Sequence, residues 1–297
     1  MDNSQINPVD AYFLTLNSKT TVQSYTFRIR SFCDFVFNSV DFGQCDWKKL
    51  TYIDVLKFMK HQQETGLAHT SINVTLSALK SVTFHCWQLS IIDTDTYLKI
   101  KTLKNIKGLR APAGRVLETN EITTIKDAIG NARDKRSIRD FAMFAISIGA
   151  GLRRRELMLL NIHDVQGSHI VIHGKGNKVR QVLITPFTKA AIARWLKHHD
   201  GQANGALFVR IFNDGSLGDR LGILSIHRTM QRIAKRAEIN SFTTHDLRRT
   251  YATTLIDAGA DKFAVQRLMG HSSLKTTEIY DRRGDRANDA AMELLKY

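Results

Sequence analysis

A break at residues 108–118 divides this chain into two stretches that must fold by different rules. It reads Gly108-Leu109-Arg110-Ala111-Pro112-Ala113-Gly114-Arg115-Val116-Leu117-Glu118, and a proline between two glycines interrupts any helix that reaches it. Before the break, apolar side chains recur at helical spacing. Val22, Tyr25, Ile29, Phe32, Phe35 and Val36 mark a helix over 20–37. Thr51 and Asp54 resemble a capping pair for a helix through Leu56, Phe58 and Met59, which Gly66 ends. Ile72, Leu76, Leu79, Val82 and Trp87 mark a helix over 71–89, and a shorter one covers 9–16. The pattern predicts a bundle of four or five helices in residues 1–107, a linker over 108–118, and a second domain over 119–297.

The second domain reads as mixed. An apolar helix over 139–148 is closed by Gly149 and Gly151, and a further helix spans 153–160. His169–His173 and Val179–Ile184 are rich in β-formers, and Gly174-Lys175-Gly176-Asn177-Lys178 joins them as the one clear hairpin. Helical patterns return at 188–198, 225–237, 245–258, 262–269, 273–281 and 286–295. The expected fold class is therefore mainly α with a small β-hairpin, an N-terminal helical bundle followed by an α+β domain.

Charge narrows the partners. Of a net charge of +15, residues 1–110 hold +4 and the remainder holds +11. Such an excess fits a polyanion, either nucleic acid or an anionic membrane surface. Lys99, Lys101, Lys104, Lys107 and Arg110 form a run with no acid among them. No apolar run reaches the length of a membrane span, and the polar start Met1-Asp2-Asn3-Ser4-Gln5 argues against a secretory signal. Cys33, Cys45 and Cys86 lack metal-ligand spacing, so a reduced, cytosolic chain without a metal is expected.

Six residues carry chemical promise together: Arg153, Lys175, His245, Arg248, His271 and Tyr280. His245 and Arg248 fall on one face near a helix start that Thr244 could cap, where exposed N–H groups favour a phosphate. Glu156, one turn after Arg153, is placed to hold that guanidinium. Lys175 sits in a glycine-rich turn that lacks the spacing of a nucleotide-binding P-loop. Gly270 is placed to end a helix in the left-handed conformation just before His271. These are the side chains that phosphoryl transfer needs without a metal. Arginines neutralise non-bridging oxygens, histidines and a lysine move protons, and a tyrosine forms a covalent intermediate. A free phenol, with a pKa of about 10, is only roughly one part in a thousand ionised at neutral pH, so its attack needs such neighbours.

The strings Gly151-Leu152-Arg153-Arg154-Arg155-Glu156-Leu157, Gly174-Lys175-Gly176-Asn177-Lys178, His245-Asp246-Leu247-Arg248-Arg249-Thr250-Tyr251-Ala252-Thr253, Leu268-Met269-Gly270-His271-Ser272-Ser273 and Thr276-Thr277-Glu278-Ile279-Tyr280 occur in that order. On them the chain resembles the tyrosine recombinase (phage integrase) family, and within it the compact Xer-like and mobile-element integrases. The resemblance implies a core-DNA-binding domain followed by a tyrosine-recombinase catalytic domain. It implies site-specific DNA recombination through a 3′-phosphotyrosine at Tyr280 and a Holliday junction, without ATP, metal or other cofactor. Arg153 and Arg248 would clamp the phosphate, His271 would donate to it, Lys175 would protonate the leaving oxygen, and His245 would assist the tyrosine. Lys101, Lys104, Lys107, Arg110 and Arg115 are candidate DNA contacts.

The implied partners are double-stranded recombination sites, a homotetramer or a heterotetramer with a related recombinase, and accessory DNA-bending proteins. The implied setting is cytoplasmic and nucleoid-associated. A C-terminal exchange helix over 286–297 presents Ala287, Ala290, Ala291, Leu294 and Leu295 on one face, to pack in cis or on a neighbouring subunit. Thr244 stands where many members have proline. The alternative activity for the same side chains is a type IB topoisomerase-like or hairpin-forming strand transferase.

Overall fold

The computed structural model describes residues 6–108, 114–174, 179–199, 205–270 and 273. The chain forms two compact units, Met1–Ala111 and Pro112–Tyr297.

Among the described residues, every regular element of the first unit is a helix. Helices α1 (Pro8–Leu14), α2 (Lys19–Phe37), α3 (Tyr52–Glu64), α4 (His69–Gln88) and α5 (Thr94–Lys101) follow in order, with a short 3-10 turn at Trp47–Lys49. Four of the five starts carry a side-chain cap, α4 being the exception. Asn7, Ser18 and Asp93 each accept backbone N–H groups, and Thr51 with Asp54 forms a reciprocal capping box. Such caps contribute about 1 kcal/mol each. Helix α4 is the hub, since the other four helices all contact α4. Its Ile72, Leu76 and Leu79 close over Ile29, Phe32, Phe58 and Ile100 in one apolar core. Helix α5 is absent from the apolar periodicity, because Lys99 and Lys101 dominate its short sequence.

The segment after α5 is fastened down. Lys80 Nζ donates to the Leu103 carbonyl at 2.5 Å, and the Asn73 amide exchanges two hydrogen bonds with the Ile106 backbone. Lys101, Lys104 and Lys107 remain exposed. All three cysteines are buried free thiols, and desolvation pushes Cys86 up to about 12, which keeps it unreactive.

The second unit contains α6 (Thr119–Ile129), α7 (Lys135–Ala150), α8 (Arg154–Leu159), β1 (Val165–Gln166), β2 (His169–His173), β3 (Val179–Leu183), α9 (Pro186–Leu196), β4 (Val209–Ile211), β5 (Leu217–Arg220), α10 (Ile223–Arg236), α11 (Thr244–Asp257) and α12 (Lys262–Met269). Strands β1, β2 and β3 form an antiparallel sheet in that order, in which Ile170 faces Val182 and Ile172 faces Arg180. Helix α7 is buried along most of its length and packs on α9 and α11. Its own Phe144 shares one core with the fully buried Trp195, Phe208 and Phe242. Burying each such ring contributes about 1.5–3 kcal/mol.

Several expectations need correction. Residues 114–118 are no free linker. Leu117 is buried and its N–H donates to Thr250 Oγ1, while the Arg115 N–H donates to Asp246 Oδ1. Gly114 makes this approach possible: its φ is +96°, and a Cβ there would lie 2.4 Å from Asp246 Oδ1. Gly149 lies inside α7 rather than closing it, at a point where α9 crosses so near that a Cβ would meet Thr188 Oγ1; of the two glycines, Gly151 alone turns left-handed and ends the helix. The cap of α11 is Thr243, with Thr244 buried in the first turn. Helix α6 and the β4–β5 pair, which carries a bulge, are additional elements.

Candidate active site

One buried carboxylate organises the site. Glu156 sits in the first turn of α8, where its Oε2 accepts the Arg153 N–H at 2.8 Å. Only this half of a capping box operates, since a guanidinium has no acceptor. Arg153 then folds back and donates from Nη1 to Glu156 Oε1 at 2.8 Å. Arg180, from β3, completes the cluster with a two-pronged bond, Nη1 to Oε1 at 2.9 Å and Nη2 to Oε2 at 2.8 Å. Arg248 Nη1, from α11, stands 3.9 Å from Oε2. Burial alone would raise the Glu156 carboxyl. The Arg180 fork and the Arg153 donors reverse this and hold it at about 2, so it is ionised throughout the physiological range.

The same arginines grip the end of α12. Gly270 ends that helix at φ 60°, leaving carbonyls with no intrahelical partner. Arg180 Nε donates to Leu268 O at 3.0 Å, Arg248 Nη2 to Met269 O at 2.5 Å, and Arg153 Nη2 to Gly270 O at 2.8 Å. Arg248 Nη1 also donates to Gly151 O at 2.5 Å, tying α11 to the end of α7. A helix C-terminus carries partial negative charge, so cations belong there.

Exposure separates the two expected phosphate ligands. The Arg153 side chain is 41% exposed and that of Arg248 only 2%. Arg154 and Arg155 point to solvent, so one arginine of the three enters the cluster. His245, in the first turn of α11, is exposed at the residue level. Its ring is nonetheless crowded enough that desolvation, then the positive charges of Arg248, Arg249 and Arg153, lower its pKa. It is a neutral imidazole at pH 7, able to accept a proton.

Arg153 and Glu156 at the start of α8 are thus brought together with His245 and Arg248 of α11, two segments far apart in sequence. Lys175, His271 and Tyr280 lie outside the described residues, as do Arg110 and the 286–297 helix. Arg115 has another job. Its Nη1 donates to both carboxylate oxygens of Glu121, and Nη2 and Nε donate to the Asn240 and Ser241 carbonyls, bracing the domain's first helix. Sequence reading missed Arg180. The available signal was strand alternation: Arg180 shares the inward face with Val182, and an inward arginine requires a carboxylate. Among the described residues no group of side chains could hold a metal ion, and no helix is long and apolar enough to cross a membrane.

Comparison with known proteins agrees with this architecture. The model of the Phage integrase family matches residues 115–286, and that of the Phage integrase, N-terminal SAM-like domain matches 9–87. Tyrosine recombinase XerC of Shewanella amazonensis (strain ATCC BAA-1098 / SB2B) is 30% identical over 272 residues, covering 89% of this chain and 85% of the relative. Tyrosine recombinase XerC of Chromohalobacter salexigens is 29% identical over 270 residues, covering 89% and 86%. A crystal structure of XerH site-specific recombinase bound to palindromic difH substrate, a post-cleavage complex, superposes with a TM-score of 0.72 at 21% identity. That match covers 99% of this chain and 91% of the other, and it supports the fold.

Proposed function

We propose a division of chemical labour for this chain, which belongs to the phage integrase family and is a site-specific tyrosine recombinase that cuts and rejoins DNA. The observation that carries the assignment of roles is the convergence of Arg153 and Arg248 on the ionised Glu156, with the His245 ring near enough to feel the charge of both arginines. Arg153, the exposed member, meets the scissile phosphate first. Arg248 reaches it from beneath by exchanging a bond to Met269 O or Gly151 O for one to a phosphate oxygen. Both lower the barrier by neutralising charge that builds on the non-bridging oxygens. His245, neutral at rest, takes the phenolic proton as Tyr280 attacks phosphorus. His271 donates a hydrogen bond to the phosphate, and Lys175 protonates the departing 5′ oxygen. The product is a 3′-phosphotyrosine that keeps the energy of the broken bond. A 5′ hydroxyl of the partner strand then attacks it and releases Tyr280, through a Holliday junction. No ATP or metal enters this balance.

Four subunits on two duplexes provide the four strand exchanges such a reaction needs, as a homotetramer or with a related recombinase. The 286–297 helix links neighbours, and DNA-bending accessory proteins set which sites meet. Lys101, Lys104 and Lys107, exposed on the first unit, and Arg110 contribute backbone contacts to DNA, and work on that DNA places the protein at the nucleoid. The test is a supercoiled plasmid carrying two recombination sites beside one carrying a single site. Recombinants from the two-site plasmid alone support the reading. Relaxation of both plasmids without recombinants supports the topoisomerase-like alternative.

A further inference from the structure

We propose that Arg180 is a positioning residue for strand cleavage: it locks Glu156 and the Leu268 carbonyl into one rigid unit, so that Arg153 and the chain entering His271 keep their places together. This rests on the recombinase reading of the site and adds to it a residue outside the six that perform the chemistry.

Three consecutive carbonyls, those of Leu268, Met269 and Gly270, are taken by three different arginines. Each of those arginines also approaches Glu156. Arg180 alone makes a two-pronged bond to the carboxylate and, through its third nitrogen, also holds the helix end. It is therefore the strut of the cluster, and Arg153 leans on the carboxylate that Arg180 fixes. The strut is close-fitting: a Cβ at Gly270 would lie 3.0 Å from Arg180 Nη1. Its side chain is only 15% exposed, which places it beneath the site rather than at its mouth. Arg180 touches no reacting atom, so it acts through the groups that do. Gly270 directly precedes His271 in sequence, so a loosened helix end shifts the origin of that residue as well as the Arg153 fork.

The groups facing Glu156 are Arg153 from its own turn, Arg180 from β3 and Arg248 from α11. Without Arg180 the largest stabiliser of the carboxylate is gone, and its protonation rises towards working pH. Cleavage by an Arg180→Gln variant should then lose activity at a higher pH than the wild type, whose own acid limb reports His245.

The experiment uses the full chain and a nicked duplex selected by covalent capture on the wild type from a random-sequence library. Single-turnover adduct formation and DNA affinity are measured for wild type, Arg180→Gln, Arg180→Lys, Glu156→Gln and the Arg180→Gln/Glu156→Gln double variant. The proposal predicts cleavage slowed roughly 10- to 100-fold in Arg180→Gln, the cost of displacing a phosphate ligand by about 1 Å. It predicts unchanged DNA affinity, partial rescue by lysine, and a double variant no slower than its slower parent. Wild-type rates in Arg180→Gln and Arg180→Lys, or losses that multiply in the double variant, overturn it. DNA affinity falling in step with cleavage in both Arg180 variants also overturns it. A wild type that forms no adduct on any duplex would instead refute the recombinase reading beneath it.

Discussion

Replacing Glu156 by glutamine removes the one negative charge that three arginines share. The carboxyl is held at about 2 against an ordinary 4.5, a gap worth about 3 kcal/mol of folding stability at neutral pH. Breaking one side of a buried ion pair costs about 3–5 kcal/mol by a separate line of reasoning, so the two agree. The sign follows from linkage. A depressed carboxylate stabilises above its unfolded pKa, and that contribution disappears as pH falls from 4.5 towards 2. Trp195 is the one tryptophan of residues 112–297, so with Trp47 and Trp87 replaced by phenylalanine its fluorescence reports the second unit alone. Urea unfolding at pH 7 should show Glu156→Gln less stable by about 3 kcal/mol. The gap between variant and wild type should narrow below pH 4.5. A loss under about 1 kcal/mol at pH 7, the size of an exposed pair, or parallel pH profiles for both proteins, would refute the account of the cluster.

Other consequences follow from single contacts. Gly114→Ala should destabilise the second unit by roughly 1–3 kcal/mol, because it combines a positive φ with a clash against Asp246; the same Trp195 assay reads it. An NMR titration should find His245 protonating below the ordinary histidine value of 6.5, and Arg153→Gln should move it upward by removing a neighbouring charge. DNA affinity should fall with salt at a log–log slope of about −0.9 per phosphate contact, and Lys104→Gln with Lys107→Gln should flatten that slope.

Local chemistry was the most legible part of the sequence. Thr51 with Asp54 announced α3, and the apolar spacing of Ile72, Leu76 and Leu79 announced α4. Helix α5 was hidden because two of its eight residues are lysines and its apolar face is short. The β4–β5 pair was hidden because strands of three and four residues leave no alternation to detect. At the site, Arg153 and Glu156 were readable because they lie one turn apart. Arg180 was not, because its partners are 24 and 88 residues away and only the folded chain brings them together. Arg115 misled for a similar reason: an arginine beside a glycine-rich break looks free until Glu121 and two distant carbonyls are seen around it.

The central claim is that Tyr280 attacks phosphorus within a site built by Arg153, Arg248 and His245. A nicked suicide substrate tests it most directly, since loss of the short downstream strand traps the covalent intermediate. The wild-type chain should yield a protein–DNA adduct whose peptide map carries the nucleotide on Tyr280, with the yield unchanged by a metal chelator. Tyr280→Phe should bind the same DNA and form none. An adduct that persists in Tyr280→Phe, or one mapped to another residue, would contradict the account.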